Sequence, residues 1–258
     1  MNQVGKVDLR LQKVLQNATQ LTDTQIKWLE DISHQFIKPY VFKKFISSDL
    51  ISETILYDFG DMIRLHHCLS KAAFSKDKFE FVMERAFSRA GIEASLAPRG
   101  NPGHDLTING EKFSLKSEAS ASIKEDKLHI SKFMELGKGK WETEEDLVGL
   151  RDRFFDHMKK YDRILTLRAL KPKDNQLRYE LVEIPKNLLL ESLNGTLSMQ
   201  HDSSQNPKPG NCHVIDSDGT LKFQLYFDGG SERKLQIKHI RKEYCIVHAE
   251  WSFEVSIL

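Results

Sequence analysis

An aspartate and a lysine flank an Asn109-Gly110 pair in the segment NPGHDLTINGEKFSLKSE. Asn-Gly is the strongest short-range signal for a two-residue β-hairpin turn. In the hairpin that it predicts, Asp105 lies opposite Ser114 on one face of the sheet, and Lys116 is the diagonal neighbour of Asp105, about 7–8 Å away. The register therefore predicts that one carboxylate and one ammonium converge at the open end of the hairpin.

Metal-assisted phosphodiester hydrolysis is the chemistry that uses such a pair. The carboxylate binds a divalent cation, which polarises the phosphate and lowers the pKa of a bound water. The lysine positions or deprotonates that water and stabilises the charge that develops on the phosphate. An exposed hairpin with an ordinary salt bridge is the alternative that these two residues alone leave open.

A metal site needs a second carboxylate, and two residues could provide it. Glu84 lies among apolar positions on an amphipathic helix predicted over residues 75–91, just upstream of the hairpin. Glu118 follows Lys116 on the same strand face, about 7 Å further along. Glu80, one turn before Glu84, is expected to be solvated. The choice between Glu84 and Glu118 stays open at this point.

Three basic segments could contact a nucleic acid. Arg99 lies in the Pro/Gly-rich loop before Asp105, where it could meet a phosphate. Lys138 and Lys140 belong to a GKGK loop, whose amides and ammoniums can contact phosphates. A C-terminal strand carries on one face a row suited to a groove or phosphate track, formed by Lys234, Gln236 and Lys238. The alternative for this row is the solvated face of an antiparallel edge strand.

The 258 residues, 40% of them hydrophobic, predict a globular protein with a single domain. The net charge of +1 does not by itself indicate nucleic-acid binding, but basic residues can be confined to one cleft. No apolar run has membrane length. The start has no apolar segment typical of a signal peptide, and three cysteines without CxxC spacing favour reduced thiols, so we expect a cytoplasmic protein with no membrane contact.

The periodicities predict a chain that contains both helices and strands. We expect a helical N-terminal subregion at residues 1–75, a catalytic core at 76–193, and an antiparallel strand subregion at 194–258 that could recognise DNA. Within the core, Thr143, early acids and late bases predict a helix over 143–161. A short helix is predicted over 130–137, ending at a glycine.

The hairpin resembles the catalytic hairpin of the PD-(D/E)xK nuclease superfamily, in which an acid on one strand precedes x-x-Lys on its antiparallel partner. The resemblance implies an α/β (α+β) fold with a mixed central sheet flanked by helices. Ser114 stands where that superfamily usually has Glu or Asp, so the second carboxylate must come from elsewhere. Glu84 corresponds to the helix-borne acid of several branches, and Glu118 would be a displaced strand acid.

Longer segments are similar to the SmaI family of type II restriction endonucleases: RGNPGHDLTI, SLKSEAS, HISKFMELGKGKW, LVEIPKNLLLE and YFDGGSERKLQIKHI. This resemblance implies a Mg²⁺-dependent homodimer that cuts both strands of double-stranded DNA at the palindrome CCCGGG and leaves 5′-phosphate ends. It implies that Asp105 and Lys116 are the catalytic pair. On this interpretation Asp105 holds Mg²⁺ with the Leu115 carbonyl and with Glu84 or Glu118. Reading guanine requires donors to O6 and N7, for which we consider the basic residues named above.

Two other functions fit the same core. A repair-type nuclease would act as a monomer and nick one strand at a mismatch or an unusual structure. A DNA-binding module that has lost catalysis is permitted because Ser114 replaces the usual acid.

Overall fold

The hairpin register predicted from Asn109-Gly110 is confirmed in a computed structural model, which describes residues 3–98, 100–101 and 103–255, with only the backbone for residues 3–7. Ile108 pairs with Glu111, and Leu106 pairs with Phe113. Asn109 and Gly110 both have positive φ, at 47° and 84°. Positive φ at both central residues is what a tight hairpin turn of this kind requires, and Asn and Gly tolerate it.

Six α-helices are described, with these bounds: α1 Gln3–Ala18, α2 Asp23–Ile37, α3 Glu53–Leu69, α4 Lys76–Arg89, α5 Glu144–Met158 and α6 Lys186–Leu190. The first six strands are β1 Tyr40–Lys44, β2 Ala94–Leu96, β3 Leu106–Ile108, β4 Glu111–Glu118, β5 Lys127–Glu135 and β6 Arg163–Lys173. The other six are β7 Gln176–Glu183, β8 Thr196–Met199, β9 Gly210–Ile215, β10 Leu221–Phe227, β11 Lys234–Arg241 and β12 Ile246–Glu254. Short 3₁₀ turns occupy Glu191–Asn194 and Lys242–Tyr244.

Two sheets organise the chain. A seven-stranded sheet has the order β1-β12-β7-β6-β4-β3-β2, and a five-stranded sheet has the order β5-β11-β10-β9-β8. Strands β4 and β6 run parallel, whereas the other neighbouring strands in the described residues run antiparallel. The predicted mixed sheet flanked by helices is therefore confirmed.

Each face of the seven-stranded sheet has its own core. Helices α3 and α4 cover one face, where Phe59 and Phe79 pack with Phe113 and Leu115. Helix α5 and the inner face of the five-stranded sheet cover the other, where Phe154 packs within the same core as Ile164 and Phe223. Strand β4 therefore lies between these two layers, and its alternate residues point toward the side of α4 or the side of α5.

Local signals set the two helices that matter most for the site. Ser75 caps α4, since its side chain accepts a hydrogen bond from the Lys78 amide. Thr143 and Asp146 form a reciprocal capping box at the start of α5, which confirms the helix predicted there. Because α4 begins at Lys76, its first turn lies next to the hairpin.

Long-range pairing overrides two predictions made from local pattern. The N-terminal region is not wholly helical, because Tyr40–Lys44 forms β1 and pairs with β12 over two hundred residues later. The helix predicted over 130–137 is wrong: residues up to Glu135 belong to β5, which pairs with β11. The backbone bonds of a partner strand outweigh a weak helical periodicity. No helix among the described residues is long and apolar enough to cross a membrane.

Candidate active site

The carboxylate of Asp105 is fixed by the strand that follows the hairpin turn. The Asp105 amide donates to the Phe113 carbonyl at 2.8 Å, so the hairpin pairing extends one residue beyond β3. Its Oδ2 accepts a hydrogen bond from the Leu115 amide at 2.6 Å. The side chain is thereby held against the edge of β4, 21% exposed.

The backbone carbonyl of Leu115 faces the same edge of β4 as the Asp105 carboxylate. The amide and carbonyl of one strand residue point to the same edge of the strand. Since the Leu115 amide meets Asp105, its carbonyl also faces that edge. Strand β3 ends opposite Phe113, which leaves this edge of β4 without a strand partner among the described residues.

The carboxylates of Asp105 and Glu80 lie on either side of one positive charge, the Lys76 ammonium. The Lys76 ammonium lies 2.8 Å from Asp105 Oδ1 and 2.8 Å from Glu80 Oε1. Lys76 and Glu80 are one helical turn apart, so they share one face of α4. The expectation that Glu80 is simply solvated is therefore wrong, because its side chain is only 24% exposed and bound to Lys76.

Burial alone would lower the pKa of Lys76, but its hydrogen bonds to Asp105 and Glu80 raise it above the ordinary value. The lysine is accordingly held in its charged form. A single cation thus bridges two carboxylates that come from different elements, the hairpin and α4.

Glu84, the helix-borne acid proposed from the sequence as one of two candidates, makes a different contact. Its carboxylate accepts a hydrogen bond from the Ser88 hydroxyl at 3.1 Å, one turn further along α4. The structure therefore brings Glu80, and not Glu84, to the Lys76 ammonium that Asp105 binds.

Glu118 forms a buried ion pair with Arg168. Its Oε2 accepts from Arg168 Nε at 2.6 Å, and the Arg168 guanidinium also binds Glu180 and the Lys124 and Lys127 carbonyls. Burial raises the pKa of Glu118, while the Arg168 charge opposes that shift. Glu118 lies four residues beyond Ser114, the position expected opposite Asp105, which is about 13 Å along a strand. It is not brought to the Asp105 carboxylate.

Lys116 lies beside Asp105 but is not its ion-pair partner, which is Lys76. The Lys116 ammonium faces the ring of Phe133, 5.4 Å from the ring centroid. Burial lowers the pKa of Lys116 to about 8, the Asp105 charge opposes this, and the Lys76 charge adds to it. The neutral amine is therefore accessible near neutral pH, as a proton acceptor requires.

A cleft of about 870 Å³ opens beside these residues. Helix α5 contributes His157, whose pKa is lowered to about 4 by burial and then by the nearby Lys116 and Lys160 charges. The cationic side chains that line the cleft are Lys76, Lys116, Lys132, Arg153 and Lys160. Glu135 and Asp156 also line the cleft, and Glu135 pairs with Lys132, but the cations outnumber these acids. In a protein of net charge +1 this local excess of positive charge creates a site for phosphates.

The α5 contribution was missed in the sequence, where the bases near the end of this helix were attributed to its dipole. Their approach to Lys116 depends on how α5 packs against β4, which no local spacing reports.

The predicted GKGK loop begins beside this cleft. Gly137 lies so close to Arg153 that a Cβ there would come 3.3 Å from its guanidinium. The Lys138 and Gly139 carbonyls accept hydrogen bonds from Arg233, at 2.8 and 2.7 Å, and both Lys138 and Lys140 are exposed. Arg99 lies outside the described residues.

On β11, Lys234, Gln236 and Lys238 alternate with buried Leu235 and Ile237. The three polar residues therefore lie on the outer face of the five-stranded sheet. Strand β11 is flanked by β5 and β10, so the alternative of an edge strand is wrong. Lys234 pairs with Glu232. Gln236 donates to Asp228 at 2.9 Å and contacts His129 at 3.2 Å.

The third residue of that row, Lys238, stacks on an aromatic ring. Its ammonium lies 3.3 Å from the centroid of the Tyr226 ring, and burial lowers the pKa of this lysine. Two of the three residues in the row are thus held by neighbouring side chains of the same face, and the third by an adjacent acid.

A second group of possible metal ligands, Asp49, Glu183 and His248, lies near the start of β6. Arg163 donates to both carboxylates, and His248 also contacts the Ser48 hydroxyl at 3.0 Å. Burial favours a raised pKa for Glu183, but hydrogen bonds from His248 and Arg163 lower it below its ordinary value. The Arg163 guanidinium compensates these carboxylates and is only 14% exposed, whereas the Lys76 side chain beside Asp105 is 40% exposed.

Comparison with known proteins gives one family. Residues 15–253 match the family model of SmaI, described as a type II site-specific deoxyribonuclease. Over 234 residues the chain is 43% identical to the type II restriction enzyme SmaI of Serratia marcescens, which covers 90% of each of the two chains. No solved structure matches the chain.

Proposed function

Because this chain belongs to the SmaI family of type II site-specific deoxyribonucleases, we propose that it cuts both strands of DNA at the palindrome CCCGGG. The reaction depends on Mg²⁺ and leaves 5′-phosphate ends. The target sequence rests on the similarity of long segments to that family, and the assignment of the site rests on the contacts of Asp105.

The observation that carries the site is the Lys76 ammonium held between Asp105 and Glu80, 2.8 Å from each. A point that stabilises one positive charge between two carboxylates fits a divalent cation. Carboxylate and peptide carbonyl oxygens are the hard ligands that Mg²⁺ prefers. Asp105, Glu80 and the Leu115 carbonyl would hold it.

We favour Glu80 over the other two candidates for the second carboxylate. Glu84 is hydrogen-bonded to Ser88, and Glu118 is buried against Arg168. Removing Glu118 from Arg168 would leave a buried guanidinium short of a partner, which is costly. Glu80 needs only to exchange one cation for another.

Mg²⁺, when bound, activates the phosphate as a Lewis acid and lowers the pKa of a nearby water. Lys116 Nζ accepts the proton of the attacking water, for which its lowered pKa of about 8 is suited. Asp105 is held in place by the Leu115 amide throughout. Once protonated, Lys116 stabilises the negative charge that develops on the phosphate.

The cations of the cleft bind the DNA backbone around the scissile bond. Arg153 on α5 and Lys160 just after its end line the same cleft as Lys76, and phosphate contacts of this kind set the position of a duplex. Guanine is read by donors to O6 and N7. We assign that role to residues of three segments. They are Lys138 and Lys140 in the GKGK loop, Lys234, Gln236 and Lys238 on β11, and Arg99 in the loop before Asp105.

A palindrome is cut symmetrically by a homodimer, in which each subunit addresses one strand. The N-terminal helices offer a surface for the second copy. Leu9 on α1 and Trp28 and Ile37 on α2 are 68%, 58% and 79% exposed. A contiguous apolar patch would mark an interaction surface, and these exposed side chains are the candidates for it. The three free thiols support a cytoplasmic location, where they stay reduced.

A plasmid with one CCCGGG site tests the function. With Mg²⁺ it should be converted to full-length linear DNA with 5′-phosphate ends, and a plasmid with CCCGTG in its place should stay intact. Nicked circles as the end product would indicate a monomeric nicking enzyme instead. Intact DNA with a mobility shift would indicate a binding module without catalysis.

A further inference from the structure

Lys76 is one of the cleft cations, yet its ammonium touches two of the proposed metal ligands instead of pointing freely into the cleft. Its ammonium occupies the point between Asp105 Oδ1 and Glu80 Oε1. We propose that Lys76 is an internal counter-cation of the metal site, which leaves the two carboxylates when the divalent ion binds and then contacts the DNA backbone in the cleft. This inference rests on the proposed function of Asp105 and Glu80.

The first step is the need for a cation at this point. Asp105 and Glu80 are 21% and 24% exposed, and they come from separate elements whose packing brings them together. Two carboxylates at one partly buried site repel each other unless a positive charge lies between them. Lys76 provides that charge from within the chain and keeps the two acids in place before any ion binds.

The second step is exclusion. An ammonium within hydrogen-bond distance of both acids leaves no room for a divalent ion between the same oxygens, and like charges at such separations repel strongly. Binding of the ion therefore requires that Lys76 moves away. The apparent metal affinity of the protein is accordingly lower than the carboxylate pair alone would give.

The third step is the place to which Lys76 can move. It is the first residue of α4, its side chain is 40% exposed, and it lines the cleft with Lys116, Arg153 and Lys160. The flexible four-carbon stem lets the ammonium turn from the acids into the cleft without a change in the helix. There it meets a phosphate, so the metal and DNA should strengthen each other's binding by the same factor.

Isothermal titration with Mg²⁺ alone, without DNA, tests the exclusion. We expect Lys76→Met to bind Mg²⁺ about tenfold more tightly than the wild type. Lys78→Met is the control on the same helix, because the Lys78 ammonium hydrogen-bonds His66 and not the acids. Lys160→Met is the control for a cleft cation on another element. Both should keep the affinity of the wild type.

Equal Mg²⁺ affinity in the wild type and Lys76→Met would overturn the inference while leaving the metal site standing. An equal gain in Lys160→Met would overturn it too, since the effect would then be general electrostatics. Failure of both the wild type and Lys76→Met to bind Mg²⁺ would overturn the metal site itself, and the inference with it.

A second measurement uses the wild-type side chain, in case Lys76→Met does not fold. With lysine labelled at Cε and the Lys76 signal assigned through Lys76→Arg, addition of Mg²⁺ should shift that signal and leave Lys78 unchanged. A Lys76 signal that is unmoved at saturating Mg²⁺ would refute displacement. Addition of a DNA duplex to the Mg²⁺-bound protein should then shift the Lys76 signal again.

Discussion

Removing the charge of Glu80 or of Glu84 distinguishes the acid found at the site from the helix-borne candidate that the sequence suggested. Glu80→Gln keeps the shape of the side chain but removes a negative charge from the Lys76 ammonium and from the proposed Mg²⁺. Glu84→Gln makes the same change one turn away, where the carboxylate only accepts a hydrogen bond from Ser88. The glutamine carbonyl can still accept that bond.

The size of the effect follows from Coulomb's law. Two unit charges 4 Å apart interact by about 1 kcal/mol in water and about 4 kcal/mol at the permittivity typical of a protein surface, and a divalent ion doubles both. Glu80 is 24% exposed, which places it between these limits. A loss of about 3 kcal/mol is therefore expected, which corresponds to about a hundredfold in rate. Glu84→Gln should change the rate less than about threefold.

The assay is the rate of plasmid linearisation as a function of Mg²⁺ concentration, with circular dichroism to establish that both variants are folded. Glu80→Gln should require much more Mg²⁺, since a ligand of the ion is lost. Full activity of Glu80→Gln together with a large loss in Glu84→Gln would refute the assignment. Near-normal activity of both variants would mean that the second carboxylate comes from another element.

Three further changes test other parts of the site and the fold. Cleavage should rise about tenfold per pH unit below pH 8 and level off above it, because neutral Lys116 is the active form and its pKa is lowered to about 8. Lys116→Met should abolish cleavage and retain DNA binding. A flat pH profile would exclude Lys116 as the proton acceptor. Glu118→Gln removes one of two acids from the buried Arg168, which keeps Glu180, so the free energy of unfolding should fall by about 1–3 kcal/mol in urea titrations; an unchanged stability would argue against that pair. The double variant Trp28→Ser/Ile37→Ser should be a monomer in analytical ultracentrifugation, whereas the control Lys13→Ser on α1 should stay a dimer. If the double variant also stays a dimer, the interface lies elsewhere.

The geometry of the hairpin was readable from the sequence because its determinants are local. Asn109 and Gly110 adopt the positive φ angles that set the register. That register places Asp105 next to β4, with Lys116 two residues beyond the position opposite Asp105. Helix α5 was readable for the same reason, since its capping box spans four adjacent residues. The mixed sheet flanked by helices was implied by the resemblance of the hairpin to a nuclease superfamily, and long similar segments indicated the family.

Partners far apart in the chain could not be read in this way. Tyr40–Lys44 looked like part of a helical region until its pairing with β12 made it a strand, and residues of β5 had a helical pattern that pairing with β11 overrode. Strand pairing between distant segments depends on the packing of the whole sheet, and local propensity carries only weak information about it.

The identity of the second acid was decided by packing alone. Glu80 and Glu84 lie one turn apart on α4, so helical periodicity places both on similar faces and says nothing about where along the helix the hairpin crosses. The crossing lies at the first turn, because α4 begins at Lys76 beside Asp105. In the same way, Glu118 had the right face and type but meets Arg168, fifty residues later. The sequence by itself determined which chemistry the chain can carry and where the hairpin presents it, and only the tertiary structure decided which carboxylates share a cation, since that depends on how separate elements pack together.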